Sequence, residues 1–556
     1  MISQDKPGFL PDLPQWFIWI CAILIVTFQL GGYPVLNNNE GLYAEIPREM
    51  LASGNWQGWV IPHLNGLAYM EKPPLLYWLT AICMALFGES ETVIRLVPAV
   101  SALACVGLLQ WFGRQLQREA AAKLAALMFI SGLGVMLMSR SLMFDMLLTA
   151  CLLGAAMNAW LFHERQELRY GCRSLVFLAL AILAKGFVAT ILFTAIGGGY
   201  LALKTRSVSG MFSALGMWLR WQPWALFLLV VLPWHIAAMF AEPIFAWFYF
   251  INEHILRFMG KREPHDYYAG AWWYYLPRMA IFLFPWALIL PVLLRIKRIM
   301  PTVPALHAFL TAGWIMPLLF FSVSSAKANY YLVTVMPLLT LQIACWLEET
   351  GGMKRYGGIV LGGICALLAS FLFFAAGKQG GSEQLALGMT ATNLMQLFAC
   401  VFLMIAGAVV WMAYKRPSWA MLPLFIVPVV TIPVLVDGAN SKSAEISTRD
   451  LVDYSKVHFA DRELMLYRVF EQQSSLPFYL KRPVRVVDSR SSDLYWGNKL
   501  HKNTIVIDDQ KFVQVLKNEK PALIVLDEDQ ADFDQKPYAA GMKRIARLGK
   551  ANVFSN

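Results

Sequence analysis

The feature that most constrains this sequence is a series of apolar runs, each long enough to cross a lipid bilayer. An α-helix needs about 20 mainly apolar residues to span the hydrocarbon core. Only 15% of the residues are charged, against about 25% in soluble domains, so lipid must solvate most of the chain. The sequence therefore predicts an all-α polytopic membrane protein with about thirteen transmembrane helices. The runs begin near Trp16, Ile94, Leu124, Leu142, Leu175, Phe187, Trp224, Tyr275, Leu306, Tyr331, Ile359, Leu394 and Pro417.

The basic residues that give the chain its net charge of +11 occur in short clusters between alternate apolar runs. This distribution follows the positive-inside rule and argues against a nucleic acid partner. An odd number of spans then places the N-terminus in the cytoplasm and the C-terminus outside. The clusters include Arg114/Arg118/Lys123, Arg165/Arg169/Arg173, Lys204/Arg206/Arg220, Arg295/Lys297/Arg298, Lys354/Arg355 and Lys415/Arg416.

Two regions on the outer side have the composition of folded structure. The first outer loop, residues 31–92, contains apolar residues at helical spacing in 40–51 and 73–87, which predicts two helices in the membrane interface. Beyond the membrane domain (residues 1–436), charges of both signs appear, and short β-type runs alternate with helical ones. Residues 437–556 are therefore predicted to form a small α/β domain. The runs are 464–470, 484–487, 504–507, 512–516 and 523–526.

Ionisable residues next to membrane spans are unfavourable there and indicate function when they have no topological use. On the predicted topology, such residues from six separate segments all face the outer side. Together they predict a charged cavity beside the bilayer, suited to a substrate with an anionic headgroup and a lipid tail. The candidates are Glu40, Glu45, Glu71, Lys72, Arg140, Asp145, Lys185, Glu253, His254, Arg257, Lys327, Tyr330 and Tyr331.

Each candidate taken alone also has a structural explanation. Arg140 or Lys327 could extend to the lipid headgroups. His254 could be a hydrogen-bonded structural histidine, and Asp145 could favour a helix dipole without chemistry. Glu253 and Arg257 could form an i, i+4 ion pair on a helix surface, and Glu71-Lys72 could cap the helix that follows.

Several motifs in these segments resemble those of a known family. The opening motif is residues 39–54, NEGLYAEIPREMLASG, followed by 62–66, PHLNG, and 71–74, EKPP. Further motifs are AKGF at 184–187, EHILRF at 253–258 and MPLLFFSV at 316–323. As a set, over most of the chain, they resemble the lipid A aminoarabinose transferases. These are GT-C membrane glycosyltransferases related to the protein O-mannosyltransferases.

The resemblance implies an inverting transfer, on the periplasmic side of a bacterial inner membrane, of an aminoarabinose-like sugar from an undecaprenyl phosphate donor. The implied acceptor is a lipid A or lipopolysaccharide phosphate, and the implied enzyme is a monomer that needs no nucleotide. By motif, Lys72, Arg257, Lys327 and Tyr331 match donor-phosphate contacts, and Glu45 and Lys185 are further cavity residues. Glu71 and His254 match positions that could hold a divalent metal ion. Glu40 and Asp145 are the candidate catalytic carboxylates.

The chain departs from the family pattern at two positions in the first outer loop. Asn39 stands where the family usually has Asp, and Leu42 where it usually has Arg. A phosphate acceptor is already ionised near neutral pH, whereas a hydroxyl acceptor needs a positioned base. Asn39 therefore either favours a phosphate acceptor or moves the base to Glu40 or Asp145.

Two different functions are compatible with the same sequence features. A protein O-glycosyltransferase with a polyprenyl-phosphate sugar would differ in having a hydroxyl acceptor. A transporter or flippase of a lipid-linked sugar would instead be expected to have internal repeats and broken helices near the midplane. No repeat is evident in the sequence, and the unusual charges lie at the outer ends of the spans, which favours an enzyme.

Overall fold

The computed structural model describes residues 10–11, 13–205, 207–264, 270–294, 303–378 and 383–556. Within these residues, nine helices are long and apolar enough to span a membrane. A bent pair, Tyr275–Leu283 with Trp286–Leu293, forms a tenth if counted as one span. The nine are Glu91–Leu116, Phe144–Arg165, Val188–Thr205, Trp221–Ala241, Pro304–Val323, Asn329–Glu349, Arg355–Ala376, Ala391–Lys415 and Pro417–Ser441.

Three further helices coincide with predicted spans but are shorter, broken or more charged. Gln15–Thr27 has 13 residues, and the run near Leu124 is divided at Gly132 into Glu119–Ser131 and Leu133–Met138. Leu168–Lys185 carries several basic residues. Every predicted run thus contains a helix, and the fold class, a multi-pass helical membrane protein, is confirmed.

Both predicted helices of the first outer loop are present, and they differ in burial. Helix Leu75–Phe87 exposes Ile82, Leu86 and Phe87, whereas helix Asn39–Ala52 is largely buried. Helix Asn39–Ala52 contains Pro47 and buries nearly all of its residues. A Cβ on Gly41 would lie 2.5 Å from the Ser474 Oγ of the C-terminal domain, so only glycine permits this close approach. The loop continues through Gln57–Val60, the hairpin His63–Leu64/Leu67–Ala68 and helix Leu75–Phe87. Helix Asn39–Ala52 is therefore covered by the C-terminal domain.

The C-terminal domain is built on a six-stranded mixed sheet. In the order across the sheet, the first four strands are parallel to one another. The fifth strand is antiparallel to both of its neighbours, the fourth and the sixth. The strand order is Val506–Ile507, Val486–Val487, Leu464–Tyr467, Ala522–Leu526, Ala551–Ser555, Lys543–Leu548. Helices Arg449–His458, Tyr495–Leu500 and Asp509–Asn518 flank it, and the last contains the run 512–516. The final membrane helix ends at Ser441, a few residues past the predicted boundary at 436/437.

Candidate functional site

A cluster of five charged side chains lies where the first outer loop meets segment 242–264. Lys72 Nζ lies 3.7 Å from Glu71 Oε2 and 3.9 Å from Glu253 Oε2. Arg257 Nη1 lies 3.2 Å from Glu253 Oε2. Arg262 pairs with both carboxylates. Three cations facing two carboxylates leave one positive charge in excess, so the cluster suits an anionic ligand.

Lys72 is paired with the two carboxylates of this cluster at distances longer than a hydrogen bond. Its side chain is 15% exposed, and in the described part of the chain its ammonium group makes no hydrogen bond. Burial lowers the pKa of Lys72, and the positive charge of Arg257 lowers it further. A largely buried ammonium group that makes no hydrogen bond is unfavourable. An incoming anion would accept the hydrogen bonds that the described residues do not accept from Lys72.

Arg262 was not among the residues singled out from the sequence. It lies in the turn after the π-helix Trp247–Leu256, where no helical spacing relates it to Arg257. Arg262 Nη2 lies 2.6 Å from Glu71 Oε1, and Nε donates to Glu253 Oε1 at 2.5 Å. Its remaining terminal nitrogen donates to the Pro264 carbonyl oxygen at 3.3 Å. The only sequence signal was its place in the same outer segment as Arg257.

An ion pair between membrane helices adjoins the cluster. Lys185, at the end of helix Leu168–Lys185, donates a hydrogen bond to Asp145 Oδ1. The Lys185 ammonium lies 4.6 Å from the centre of the Tyr331 ring, in cation–π geometry. Phe187, two residues after Lys185, donates its backbone N–H to His254, the residue next to Glu253, so the ion pair lies beside the cluster. These contacts join seven of the residues predicted from the sequence: Glu71, Lys72, Asp145, Lys185, Glu253, Arg257 and Tyr331.

His254 is held by two hydrogen bonds and is not placed as a metal ligand. Its Nδ1 lies 2.5 Å from the Tyr249 carbonyl oxygen, and its Nε2 accepts from the Phe187 N–H at 3.1 Å. Gly186 has a φ of +91°, and a Cβ there would lie 2.7 Å from His254 Nε2. Glycine thus allows both the turn and the contact.

The expected divalent metal site does not fit this arrangement. Both ring nitrogens of His254 are engaged, and Glu71 is paired with Arg262. Within the residues that the structure describes, no group of three or more His, Cys, Asp or Glu side chains has the geometry to hold a metal ion. The prediction that Glu71 and His254 bind a metal is therefore at odds with the structure.

Lys327 caps a helix instead of facing the charged cluster. Its Nζ donates to the carbonyl oxygens of Phe321, Ser322 and Ser324, at 3.2, 2.7 and 2.6 Å. These carbonyls end helix Pro304–Val323, where a lysine favourably meets the unpaired acceptors. All three ammonium protons are used, so the predicted phosphate contact of Lys327 is replaced by a structural role.

Glu40 was predicted to be catalytic, but its carboxylate belongs to a buried ion pair. Arg95, fully buried, donates to Glu40 Oε1 at 2.9 Å and to Oε2 at 2.8 Å. The backbone N–H groups of Leu36 and Leu142 donate to the same carboxylate. The oxygens of Glu40 join the first outer loop to helix Glu91–Leu116 and to the segment just before helix Phe144–Arg165, which is a structural role.

Glu45, predicted to line the cavity, is likewise paired elsewhere. Its oxygens accept from Arg48 Nε and Nη2 at 2.7 and 2.5 Å, and Glu45 is completely buried. Arg48 also donates to the Lys481 carbonyl oxygen of the C-terminal domain. Glu45 therefore stabilises the contact between helix Asn39–Ala52 and that domain, which corrects the cavity assignment.

The C-terminal domain contributes Asp493 to the site, which the sequence did not reveal. The Tyr69 hydroxyl lies 3.5 Å from both Glu71 Oε2 and Asp493 Oδ1. Burial raises the pKa of Asp493 well above its ordinary value, and the charge of Glu71 raises it further. The neutral form of Asp493 is therefore favoured, and it does not cancel the excess positive charge of the five-residue cluster. No local motif marks Asp493, because it reaches the site only through the packing of two domains.

The same domain fixes the turn that carries Arg262. Trp496 Nε1 donates to the Glu263 carbonyl oxygen at 2.8 Å, and the Tyr495 hydroxyl donates to Glu263 Oε1 at 2.6 Å. The Trp496 ring packs edge-on against Phe248 at 5.4 Å. Helix Tyr495–Leu500 therefore holds the loop bearing the charged cluster.

The two departures from the family pattern lie in helix Asn39–Ala52. Leu42 is 3% exposed and packs in an apolar cluster. The Tyr43 hydroxyl lies 3.4 Å from Asn39 Oδ1, so position 39 offers an amide and no carboxylate.

Comparisons with known proteins match both parts of the chain. The family model of dolichyl-phosphate-mannose-protein mannosyltransferases matches residues 71–236, and that of the aminoarabinose transferase C-terminal domain matches residues 457–556. The chain is 33% identical over 361 residues to undecaprenyl phosphate-alpha-4-amino-4-deoxy-L-arabinose arabinosyl transferase 1 of Sodalis glossinidius, covering 61% of this chain and 60% of that protein. It is 28% identical over 527 residues to the protein of that name in Pseudomonas fluorescens, covering 89% and 88%.

The fold is that of a solved structure. The crystal structure of ArnT from Cupriavidus metallidurans bound to undecaprenyl phosphate superposes with a TM-score of 0.80, at 23% identity over 97% of each chain. The chain is thus a polytopic membrane protein with the fold of that structure. Both family models and the relatives reported above match the family that the sequence motifs resemble, so the resemblance read from the sequence is confirmed.

Proposed function

We propose that this protein is an inverting membrane glycosyltransferase, which moves a sugar from a polyprenyl phosphate donor to an acceptor on the periplasmic side of the inner membrane. The observation that carries the proposal is the excess positive charge of Lys72, Arg257 and Arg262 over Glu71 and Glu253. A site of this charge suits a donor phosphodiester, which bears a single negative charge.

Breaking the glycosidic bond moves charge onto the departing polyprenyl phosphate. Preorganised cations at that point usually make the largest contribution to catalysis. Lys72 and Arg257 fill this role, because Lys72 lacks a hydrogen-bonded partner among the described residues and the side chain of Arg257 is 26% exposed. The donor carries its own leaving group, so no nucleotide is required. The names of the relatives favour an aminoarabinose-like pentose.

The composition of the first outer loop favours a phosphate acceptor, as on lipid A. Asn39 provides no carboxylate, and Glu40 is engaged by Arg95. A phosphate near neutral pH attacks without losing a proton, so the lack of a base at position 39 does not prevent the reaction. If a hydroxyl acceptor is used, Asp145, paired with Lys185, is the candidate base that stays in the site.

The orientation of the chain follows from the same proposal. Helix Glu91–Leu116 has its first turn beside the C-terminal domain, where Tyr479 donates to Glu91 Oε1. Its other end carries the exposed Arg114. The positive-inside rule then places Arg114 and the N-terminus in the cytoplasm, and the C-terminal domain in the periplasm.

The test is a transfer assay with purified protein in detergent, undecaprenyl phosphate-linked aminoarabinose and lipid A, read by mass spectrometry. The expected product is lipid A heavier by one aminoarabinose unit, formed without added nucleotide. Sugar transfer only to a protein hydroxyl would instead identify a protein O-glycosyltransferase. In a parallel assay with the protein in lipid vesicles, movement of the donor across the bilayer without its consumption would overturn the enzymatic proposal in favour of a flippase.

A further inference from the structure

The two carboxylates of the charged cluster face a guanidinium group buried between them. Arg262 is 6% exposed in its side chain, and it contacts Glu71 Oε1 at 2.6 Å and Glu253 Oε1 at 2.5 Å. Two acidic side chains brought together in this way repel each other unless a cation lies between them. In this protein that cation is the guanidinium group of Arg262.

The other oxygen of each carboxylate also faces donors. Glu71 Oε2 lies 3.5 Å from the Tyr69 hydroxyl and 3.7 Å from Lys72 Nζ. Glu253 Oε2 lies 3.2 Å from Arg257 Nη1. A metal ion would have to displace these groups, and the nitrogen ligand expected from the sequence, His254, is engaged at both ring nitrogens.

We infer that Arg262 is a positioning residue that replaces a divalent cation in this site: it neutralises Glu71 and Glu253 and leaves Lys72 and Arg257 to bind an anionic lipid phosphate. Without Arg262, the two remaining cations would be balanced by the two carboxylates, and the cluster would hold no excess positive charge. The effect on turnover rests on the proposed function, whereas the independence from metal and the effect on phosphate binding do not.

The position of Arg262 is fixed from both domains. Asn252 donates to the Glu263 carbonyl oxygen at 2.8 Å and accepts from the Glu263 N–H at 3.0 Å. Trp496 and Tyr495 of the C-terminal domain bind the same residue. Because Glu263 directly follows Arg262, these bonds hold the guanidinium group against the two carboxylates.

The first experiment uses the wild-type protein and undecaprenyl phosphate as the probe. Metal content is measured by mass spectrometry after dialysis against EDTA, and binding is measured by titration with and without EDTA, Zn²⁺ or Mn²⁺. We expect substoichiometric metal and the same Kd under every condition. Stoichiometric metal whose removal weakens binding would overturn the inference, and this arm requires no variant to fold.

The second experiment uses Arg262→Ala, with Arg490→Ala, an exposed arginine of the C-terminal domain, as the matched control. We expect Arg262→Ala to lose about 10²-fold in turnover, the scale of a misplaced catalytic group, and to bind undecaprenyl phosphate more weakly. Methylguanidinium should partly restore both, since it can enter the vacated space between the carboxylates, while Arg490→Ala should behave as wild type.

The outcomes separate the inference from the proposed function. If Arg262→Ala binds and turns over like wild type, the positioning role is wrong. If Arg262→Ala does not fold, Arg262→Lys takes its place, because lysine keeps the positive charge but cannot contact both carboxylates in the same way. If Arg262→Lys binds undecaprenyl phosphate as tightly as the wild type, the positioning role is also wrong. If no protein transfers sugar, the proposed function fails, and the binding and metal measurements still decide the inference.

Discussion

The sharpest prediction concerns Lys72, because its removal should lower activity without lowering the stability of the fold. Its ammonium group lies 3.7 Å from Glu71 Oε2 and 3.9 Å from Glu253 Oε2, beyond hydrogen-bond length. Burial lowers the pKa of Lys72, so the folded protein disfavours its charge. We therefore expect Lys72→Ala to leave the thermal unfolding temperature unchanged or slightly higher.

The expected loss of activity follows from the charge that Lys72 meets during the reaction. Two unit charges about 4 Å apart interact by about 4 kcal/mol at an effective dielectric constant of about 20. Glu71 and Glu253 already offset part of this, so we expect about 10²-fold lower turnover, the usual scale for one lost electrostatic contact in the transition state.

The assay measures single-turnover transfer from undecaprenyl phosphate-aminoarabinose to lipid A, together with thermal unfolding in the same detergent. Lys415→Ala, at an exposed lysine at the end of helix Ala391–Lys415, is the control and should change neither quantity. A Lys72→Ala protein with full turnover would refute the phosphate role. A large fall in unfolding temperature would show that Lys72 stabilises the fold, contrary to its geometry.

Three other predictions test the pH dependence, the buried ion pair and the contact between domains. The pKa of Lys72 is lowered from its ordinary value of 10.5, so Lys72 loses its charge at a lower pH than a free lysine. The affinity for undecaprenyl phosphate should fall as the pH rises through that pKa. In a titration of Kd against pH, Lys72→Arg should move this fall to higher pH. Glu40→Gln should lower the free energy of unfolding by about 3–5 kcal/mol in denaturant titrations, because it leaves the charge of buried Arg95 uncompensated. Trp496→Ala should lower turnover about 10²-fold by loosening the turn at Glu263, with little change in the far-ultraviolet circular dichroism.

Each of these has an outcome that contradicts it. An identical alkaline limb in Lys72→Arg would assign the titration to another group. Wild-type stability of Glu40→Gln would mean that the pair with Arg95 adds little, and loss of activity without loss of stability would return Glu40 to a catalytic role. Full turnover of Trp496→Ala would mean that the C-terminal domain does not position the site.

The sequence by itself determined that lipid surrounds most of the chain, and it predicts the side of the membrane on which the site lies. Both are local properties: an apolar run of sufficient length enters lipid whatever its neighbours, and clustered arginines and lysines set its direction. For the same reason Lys72, Asp145, Lys185 and Arg257 could be singled out as candidates, because a charge beside a span is conspicuous in a sequence.

The pairing of those charges was decided only by the tertiary structure. Glu40 and Lys72 are both buried charges in one loop, yet Glu40 meets Arg95, 55 positions away, and Lys72 meets no hydrogen-bonding partner among the described residues. Asp493 enters the site 424 positions from Tyr69. Ionic interactions depend on distance in space, and the approach of these groups follows from the packing of the C-terminal domain on the first outer loop. Local composition fixes where a charge is allowed to be, and long-range packing fixes which charges remain available to bind an anion.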